Sequence, residues 1–149
     1  MVYRHMLDES GETLTLLSQE LKYIGAYQFL LKERFGEAIQ FVEEIPQEAQ
    51  SRYVVPLGLQ IVIENCVKHN AATADQPLTI HMYISNQGDY LCVDNNILTK
   101  PGIIDSPGLG LKNIQRRYAF FTTQPVTTHQ EGGKFKVCLP LLVSKEIVK

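Results

Sequence analysis

Val55-Pro56-Leu57-Gly58-Leu59-Gln60-Ile61-Val62-Ile63-Glu64-Asn65-Cys66-Val67-Lys68-His69 is the stretch on which the reading of this chain turns. Val54-Val55-Pro56 delivers the backbone into a helix over about residues 57 to 69, because a proline near the first turn gives up no internal hydrogen bond. Leu59, Val62, Ile63, Cys66 and Val67 recur at helical spacing and form a buried stripe. Ile61, Asn65 and His69 follow one another at i, i+4 beside that stripe, with Lys68 next to them. One face is therefore core. The neighbouring edge carries Glu64, Asn65, Lys68 and His69: carboxylate, amide, ammonium and imidazole.

Upstream, Leu16, Leu17, Leu21, Ile24, Tyr27, Phe29, Leu30 and Leu31 predict a helix with a wide apolar surface, capped by Thr15 or Ser18 and stopped at Gly36. That surface either packs on its own domain or belongs in part to a partner subunit or an upstream helix. Residues 38–43 read as a strand with Ile39 and Phe41 on one side, ended by Ile45-Pro46. Downstream, Leu78, Ile80, Met82 and Ile84 alternate with polar positions and turn at Asn86-Gln87-Gly88-Asp89 into a return strand over residues 90–94. Residues 95–107 hold Pro101, Gly102 and Pro107 and read as a loop over an opening. Gly108-Leu109-Gly110 precedes a helix from residue 111 to about 121, with Leu111, Ile114 and Tyr118 on its apolar side. A last hairpin pairs residues 126–130 with 134–141 around Gly132-Gly133, and Phe135, Val137 and Leu139 point one way. So few helices cannot cover both faces of a largely antiparallel sheet. A two-layer α/β sandwich is the economical arrangement.

The chain has 149 residues, which fits one domain with a helical extension. Fourteen basic against sixteen acidic side chains give a net charge of −2, which argues against a polybasic nucleic-acid or membrane footprint. No apolar run approaches the ~20 residues that span a bilayer. Cys66, Cys92 and Cys138 are odd in number and widely spaced, so a disulfide scaffold or a thiolate zinc site is a poor reading.

Three places carry chemistry. Asn65 Oδ1 suits Mg²⁺, which prefers oxygen ligands and bridges phosphates. Lys68 suits a phosphate as a point charge, and His69 suits phosphate or ribose. The plain alternative is a solvated helix end. Asp94, closing a mostly apolar strand, can accept a hydrogen bond from an exocyclic amine of a base, or simply open an Asx-turn. Gly108 and Gly110 let backbone approach a ligand at a helix start, where the amides of Leu111, Lys112 and Asn113 would face an anion. They serve equally as a tight turn. Neither the dinucleotide-binding glycine fingerprint nor a Walker motif is present.

Taken together, residues 55–69, Gly108-Leu109-Gly110-Leu111-Lys112-Asn113-Ile114-Gln115-Arg116-Arg117-Tyr118, Glu20-Leu21, Tyr27, Arg34-Phe35 and Phe135-Lys136-Val137-Cys138-Leu139-Pro140 resemble the C-terminal part of sensor histidine kinases of the LytS-like class. The resemblance runs from about residue 20 to 141. It implies a GHKL-type, or Bergerat, ATP-binding fold: a mixed, mostly antiparallel sheet covered on one face by helices. It implies ATP and Mg²⁺ as ligands. Asn65 matches the Mg²⁺-holding residue, Lys68 and His69 lie beside the phosphates, and Asp94 reads the adenine amine. Gly108, Leu109, Gly110, Leu111 and Lys112 form the phosphate loop beneath a lid at residues 95–107. Glu64 would polarise a nucleophile or orient a ligand.

Two positions depart from the family pattern: Asn96 stands where a glycine is usual, and Lys134 where a threonine is usual. The family's Pro-His-Phe acceptor run does not occur before Glu20. The reading is therefore residues 1–36 as the end of a dimerisation and acceptor region with its linker helix, and 37–149 as the catalytic domain. The acceptor histidine, and a membrane or sensor part, would lie upstream in a cytoplasm-facing inner-membrane protein. Implied partners are a response regulator, commonly of the LytTR DNA-binding type, and a second copy of the kinase; no direct nucleic-acid contact is implied. The competing reading is a degenerate nucleotide-binding or protein-interaction module.

Overall fold

The computed structural model of the chain describes residues 13–98 and 108–143. Its elements run β1 (Thr15–Leu16), α1 (Leu17–Phe35), β2 (Ile39–Glu44), β3 (Tyr53–Val54), α2 (Gly58–Lys68), β4 (Leu78–Ile84), β5 (Tyr90–Asn96), α3 (Leu109–Tyr118), β6 (Thr127–Glu131) and β7 (Lys134–Pro140). Five strands form one sheet in the order β2-β4-β5-β7-β6. Only the β2–β4 pair is parallel, with α2 on the connection between them; the other neighbours are antiparallel. β1 and β3 form a separate two-stranded piece. This mixed sheet with helices on one side is the expected two-layer sandwich.

Period-two alternation decides which face is covered. Ile39, Leu78, Ile80, Met82, Leu91, Val93, Val137 and Leu139 are all buried in one cluster with Leu17, Ile24 and Leu31 of α1, Leu59, Val62 and Ile63 of α2, and Ile114 and Tyr118 of α3. The other face is polar and lies in cross-strand rows. One row is His129, Lys136, Asp94, His81 and Val42; the next is Thr127, Cys138, Cys92, Tyr83 and Glu44. The final hairpin closes on Gly132 (φ 62°) and Gly133 (φ 77°), the left-handed pair that a tight two-residue hairpin turn requires.

The inner side of α1 belongs to the shared core, while Tyr23, Phe29 and Leu30 stay exposed on it. Gly36, at φ 57°, ends the helix where the sequence placed the stop. Neither Thr15 nor Ser18 caps it: the N-cap is Leu16, without a side-chain bond, because the chain enters directly from β1. Leu17 N–H instead donates to Arg52 O at 2.8 Å.

The entrance to α2 is built by three elements at once. Gly58 N–H donates to Val55 O (3.1 Å) around Pro56 and Leu57, and Leu57 takes φ 66°, a left-handed value that costs a leucine energy. Tyr118 of α3 accepts from Val55 N–H at 3.3 Å, and Arg117 Nη2 donates to Pro56 O at 2.7 Å. Glu20 of α1, only 2% exposed, accepts from Leu57 N–H at 3.2 Å.

Burial pushes the Glu20 carboxyl above its ordinary value, against the pull of the Leu57 and Leu59 amides and the Arg117 charge. The folded chain thus holds this proton more readily than the unfolded chain. The associated stability is full below the ordinary value of 4.5 and is lost as pH rises through the raised one. Glu20→Gln keeps the acceptor and removes the titration. Its melting temperature should fall less than the parent's as pH rises from about 4.5 toward neutral. Parallel curves in a pH series of melts would refute this.

Candidate nucleotide site

α2 and α3 stand side by side over the inner face of β5 and β7, and their contact fixes the geometry of the opening. A Cβ placed on Gly110 would lie 2.9 Å from Ile61 Cγ2. Gly110 is thus the residue that lets the two helices approach. Gly110→Val should cost about 2 kcal/mol of stability, the usual scale of overpacking, measured by denaturant midpoint. At Gly108 the same placement falls 3.5 Å from Asn65 Nδ2, so the start of α3 sits against the Asn65 carboxamide.

Between these helices and the sheet lies a cavity of about 430 Å³, within the range of ~300–1,000 Å³ usual for small-molecule sites. Its apolar walls are Val62 and Cys66 of α2, Val93 of β5, Ile97, Leu111 of α3, and Phe135 and Val137 of β7. Its polar groups are Asn65, His69, Asn70, Asn95 and Gln130, with the Gly108 backbone at the rim. Asn65 is half-buried, and its side chain makes no hydrogen bond among the described residues. Asn95 is 2% exposed, and its Nδ2 donates to Asn96 O at 2.8 Å. Asn70 ties two parts of the wall together: Nδ2 donates to Cys66 O (2.7 Å) and Oδ1 accepts from Leu98 N–H (2.6 Å).

Of the residues named from sequence, Asn65, His69, Gly108 and Leu111 line this cavity. The expectation for Asp94 is not met. β5 continues two residues past it, so Asp94 lies within the ladder, opposite His81 and Lys136 on the polar face. Alternation then turns Val93 and Asn95 toward the helices, and Asn95 takes the place expected of Asp94. Asn96 also faces away; its side chain accepts from Thr79 N–H (2.8 Å) and donates to Pro77 O (3.0 Å), pinning the start of β4. Lys134, its cross-strand partner, is exposed on the same outer row.

Four further residues lie outside the cavity lining. Glu64 is exposed and accepts from Gln60 Nε2 at 3.3 Å. Lys68 is exposed at the end of α2. Leu109 is 72% exposed. Lys112 is exposed as well, and α3 begins two residues earlier than expected, so its N–H already donates to Gly108 O at 3.1 Å. The amides left open at this helix start are two residues earlier than expected, on Leu109, Gly110 and Leu111. Most of the expected lid, residues 99–107, lies outside the described residues.

Asn70, Asn95 and Gln130 were not anticipated. Asn95 was legible in principle from alternation, had the strand been carried to residue 96. Asn70 follows a helix C-terminus, a common position for asparagine. Gln130 carries no signal beyond its place on the last hairpin.

The fold is that of histidine kinase catalytic domains. Similar proteins include a sensor histidine kinase and a sensor protein kinase. BtsS of Escherichia coli is 27% identical over 118 residues, covering 77% of this chain and 21% of BtsS. HptS of Staphylococcus aureus is 30% identical over 115 residues, covering 77% of this chain and 20% of HptS. This chain therefore spans about a fifth of the length of these relatives. Among solved structures, the nucleotide-free catalytic domain of histidine kinase ThkA superposes with a TM-score of 0.60 at 12% identity, covering 91% of this chain and 99% of that one. The ThkA complex with response regulator TrrA matches at 0.52 and 15%, covering 87% and 41%. No family model matches the chain. The chain is similar in sequence to these sensor kinases and has the fold of a histidine kinase catalytic domain. Among the described residues, no helix is long and apolar enough to cross a membrane.

Proposed function

We propose that this chain is the ATP-binding catalytic part of a sensor histidine kinase, with residues 37–149 as the catalytic domain and residues 1–36 as the end of the dimerisation and linker region. The observation that carries the reading is the Asn65 carboxamide, without a hydrogen-bond partner among the described residues, in the lining of a largely apolar cavity beside Gly108. Asn65 Oδ1 suits Mg²⁺ accompanying ATP, an oxygen-preferring ion. The base would enter between Val62, Val93 and Val137, with its polar edge on Asn95. His69 and the open amides at the start of α3 would lie along the phosphates. Lys68 and Lys112, exposed on the same two helices, would add positive charge near them, and Glu64 would orient a ligand from the rim.

Phosphoryl transfer needs charge neutralisation and in-line placement more than covalent chemistry, and these residues are of the kinds that supply both. The acceptor is a histidine supplied by another segment. His69 lines the cavity, while His81 and His129 lie on the opposite sheet face. A response-regulator aspartate would then take the phosphoryl group, from a regulator of the LytTR type, with the kinase acting as a homodimer at the inner face of a membrane.

With Mg²⁺ and γ-labelled ATP, the chain alone should remain unlabelled. Addition of the helical acceptor region of a relative such as HptS should yield acid-labile label on that region. Absence of ATP binding in calorimetry would overturn the proposal. It would favour instead a degenerate or protein-interaction module, a reading supported by one observation: among the described residues, no aspartate or glutamate lines the cavity.

A further inference from the structure

Cys92 and Cys138 are direct cross-strand partners in the β5–β7 ladder. The phase of that ladder is fixed by two bonds, Leu141 N–H to Asp89 O and Ile97 N–H to Gly133 O, each 2.9 Å. These mark residues 89 and 97 of the β5 side as hydrogen-bonded positions, and every second residue between them shares that phase. Cys92 falls in the alternate phase, so its pair with Cys138 is non-hydrogen-bonded. Such pairs have Cα atoms about 4.5 Å apart and side chains drawn close. That separation lies inside the ~4.4–6.8 Å that a disulfide spans. Both side chains stand on the polar outer face, in the row with Tyr83 and Thr127. Both are free thiols, and the two sulfurs lie within hydrogen-bonding reach of each other.

We propose that Cys92 and Cys138 form a dithiol oxidation site that closes to a cross-strand disulfide when the chain meets hydrogen peroxide. The proposal concerns the sheet face opposite the cavity and stands apart from nucleotide binding. Cys138 is the attacking sulfur. The Cys92 hydrogen bond, with help from the Lys136 charge and Thr127, holds its thiol below the ordinary range. It is also the more open of the two, at 9% exposure against 3% for Cys92, which admits a small peroxide better than a bulky reagent.

The Cys138 thiolate attacks one peroxide oxygen; the O–O bond breaks, and hydroxide leaves and is protonated to water. Cys138 is now a sulfenic acid. Cys92 sulfur attacks Cys138 sulfur; the S–S bond forms, the S–O bond breaks, and the Cys92 proton leaves with the hydroxide as a second water. Two electrons pass from the dithiol to the peroxide. The third cysteine takes no part: Cys66 is on α2 across the sheet, and burial pushes its thiol up to about 12.

The test is peroxide treatment of the folded chain, alkylation of remaining thiols under denaturing conditions, and peptide mass spectrometry without reductant. The expected product is a Cys92–Cys138 linked peptide pair, lighter by two hydrogen atoms and released by dithiothreitol, with Cys66 recovered alkylated. Cys66→Ser should form the same link. Cys138→Ala should leave Cys92 alkylated. Over-oxidation of Cys138 without a link, a link between two chains, or recovery of both thiols at a dose that oxidises them in the urea-unfolded chain would each overturn the proposal.

Discussion

Asn65→Ala should weaken Mg-ATP binding by roughly 10- to 100-fold or more, the scale on which disturbing a metal's ligand shell is felt. Binding of ATP in excess chelator should change far less. The contrast follows from position. Asn65 lines the cavity against Gly108, and its carboxamide is not consumed by any hydrogen bond among the described residues. Loss of the amide therefore leaves no buried partner stranded, and fold stability should stay close to the parent's. Calorimetric titration with and without Mg²⁺, beside a thermal melt, separates the outcomes. Equal loss in both titrations would mean that Asn65 shapes the cavity and holds no metal.

The second large effect is a reversal of what the motif alone suggests. Asp94→Asn should leave ATP affinity unchanged, because Asp94 lies on the polar face opposite His81 and Lys136. Asn95→Leu should lower it by about 1–3 kcal/mol, the cost of leaving a buried polar group without its partner. A carboxamide both accepts and donates, so Asn95 matches the amine and ring nitrogen of an adenine edge together. A carboxylate offers acceptors only. Binding isotherms for the two variants decide between the positions: a drop for D94N with none for N95L would return the base contact to Asp94.

Most of the architecture could be read from periodicity. The apolar stripe of α2, the alternation of β4 and the glycine pair of the last hairpin each tie one local pattern to one element, and each reappears in the structure. The piece formed by β1 and β3 could not be read, since two-residue strands have no period and exist only through pairing with distant segments, β3 with β1 and, at Tyr53, with Leu142. The start of α3 was placed late because glycine disfavours helices. Gly110 is nevertheless inside this one, where close contact with Ile61 outweighs its propensity.

Part of the cavity lining is legible in the sequence, but its register is not. Asn65, His69 and Gly108 lie at points where a helix begins or ends, and end signals are strong. Whether Asp94 or Asn95 faces the cavity depends on the parity of the strand; read as a strand end opening a loop, Asp94 is free of that parity, whereas in a strand that runs on to Asn96 it is held on the outer face.

Asn70 fixes Leu98, and Gly108 rests against Asn65, so the chain leaves the sheet and re-enters the helical layer at two anchored points. Between anchored points, closure entropy grows only with the logarithm of length, about 0.6 kcal/mol for each doubling. The ends of this connection are held by contacts that Asn70 and Asn65 supply, from the far end of α2, and not by the connection's own sequence.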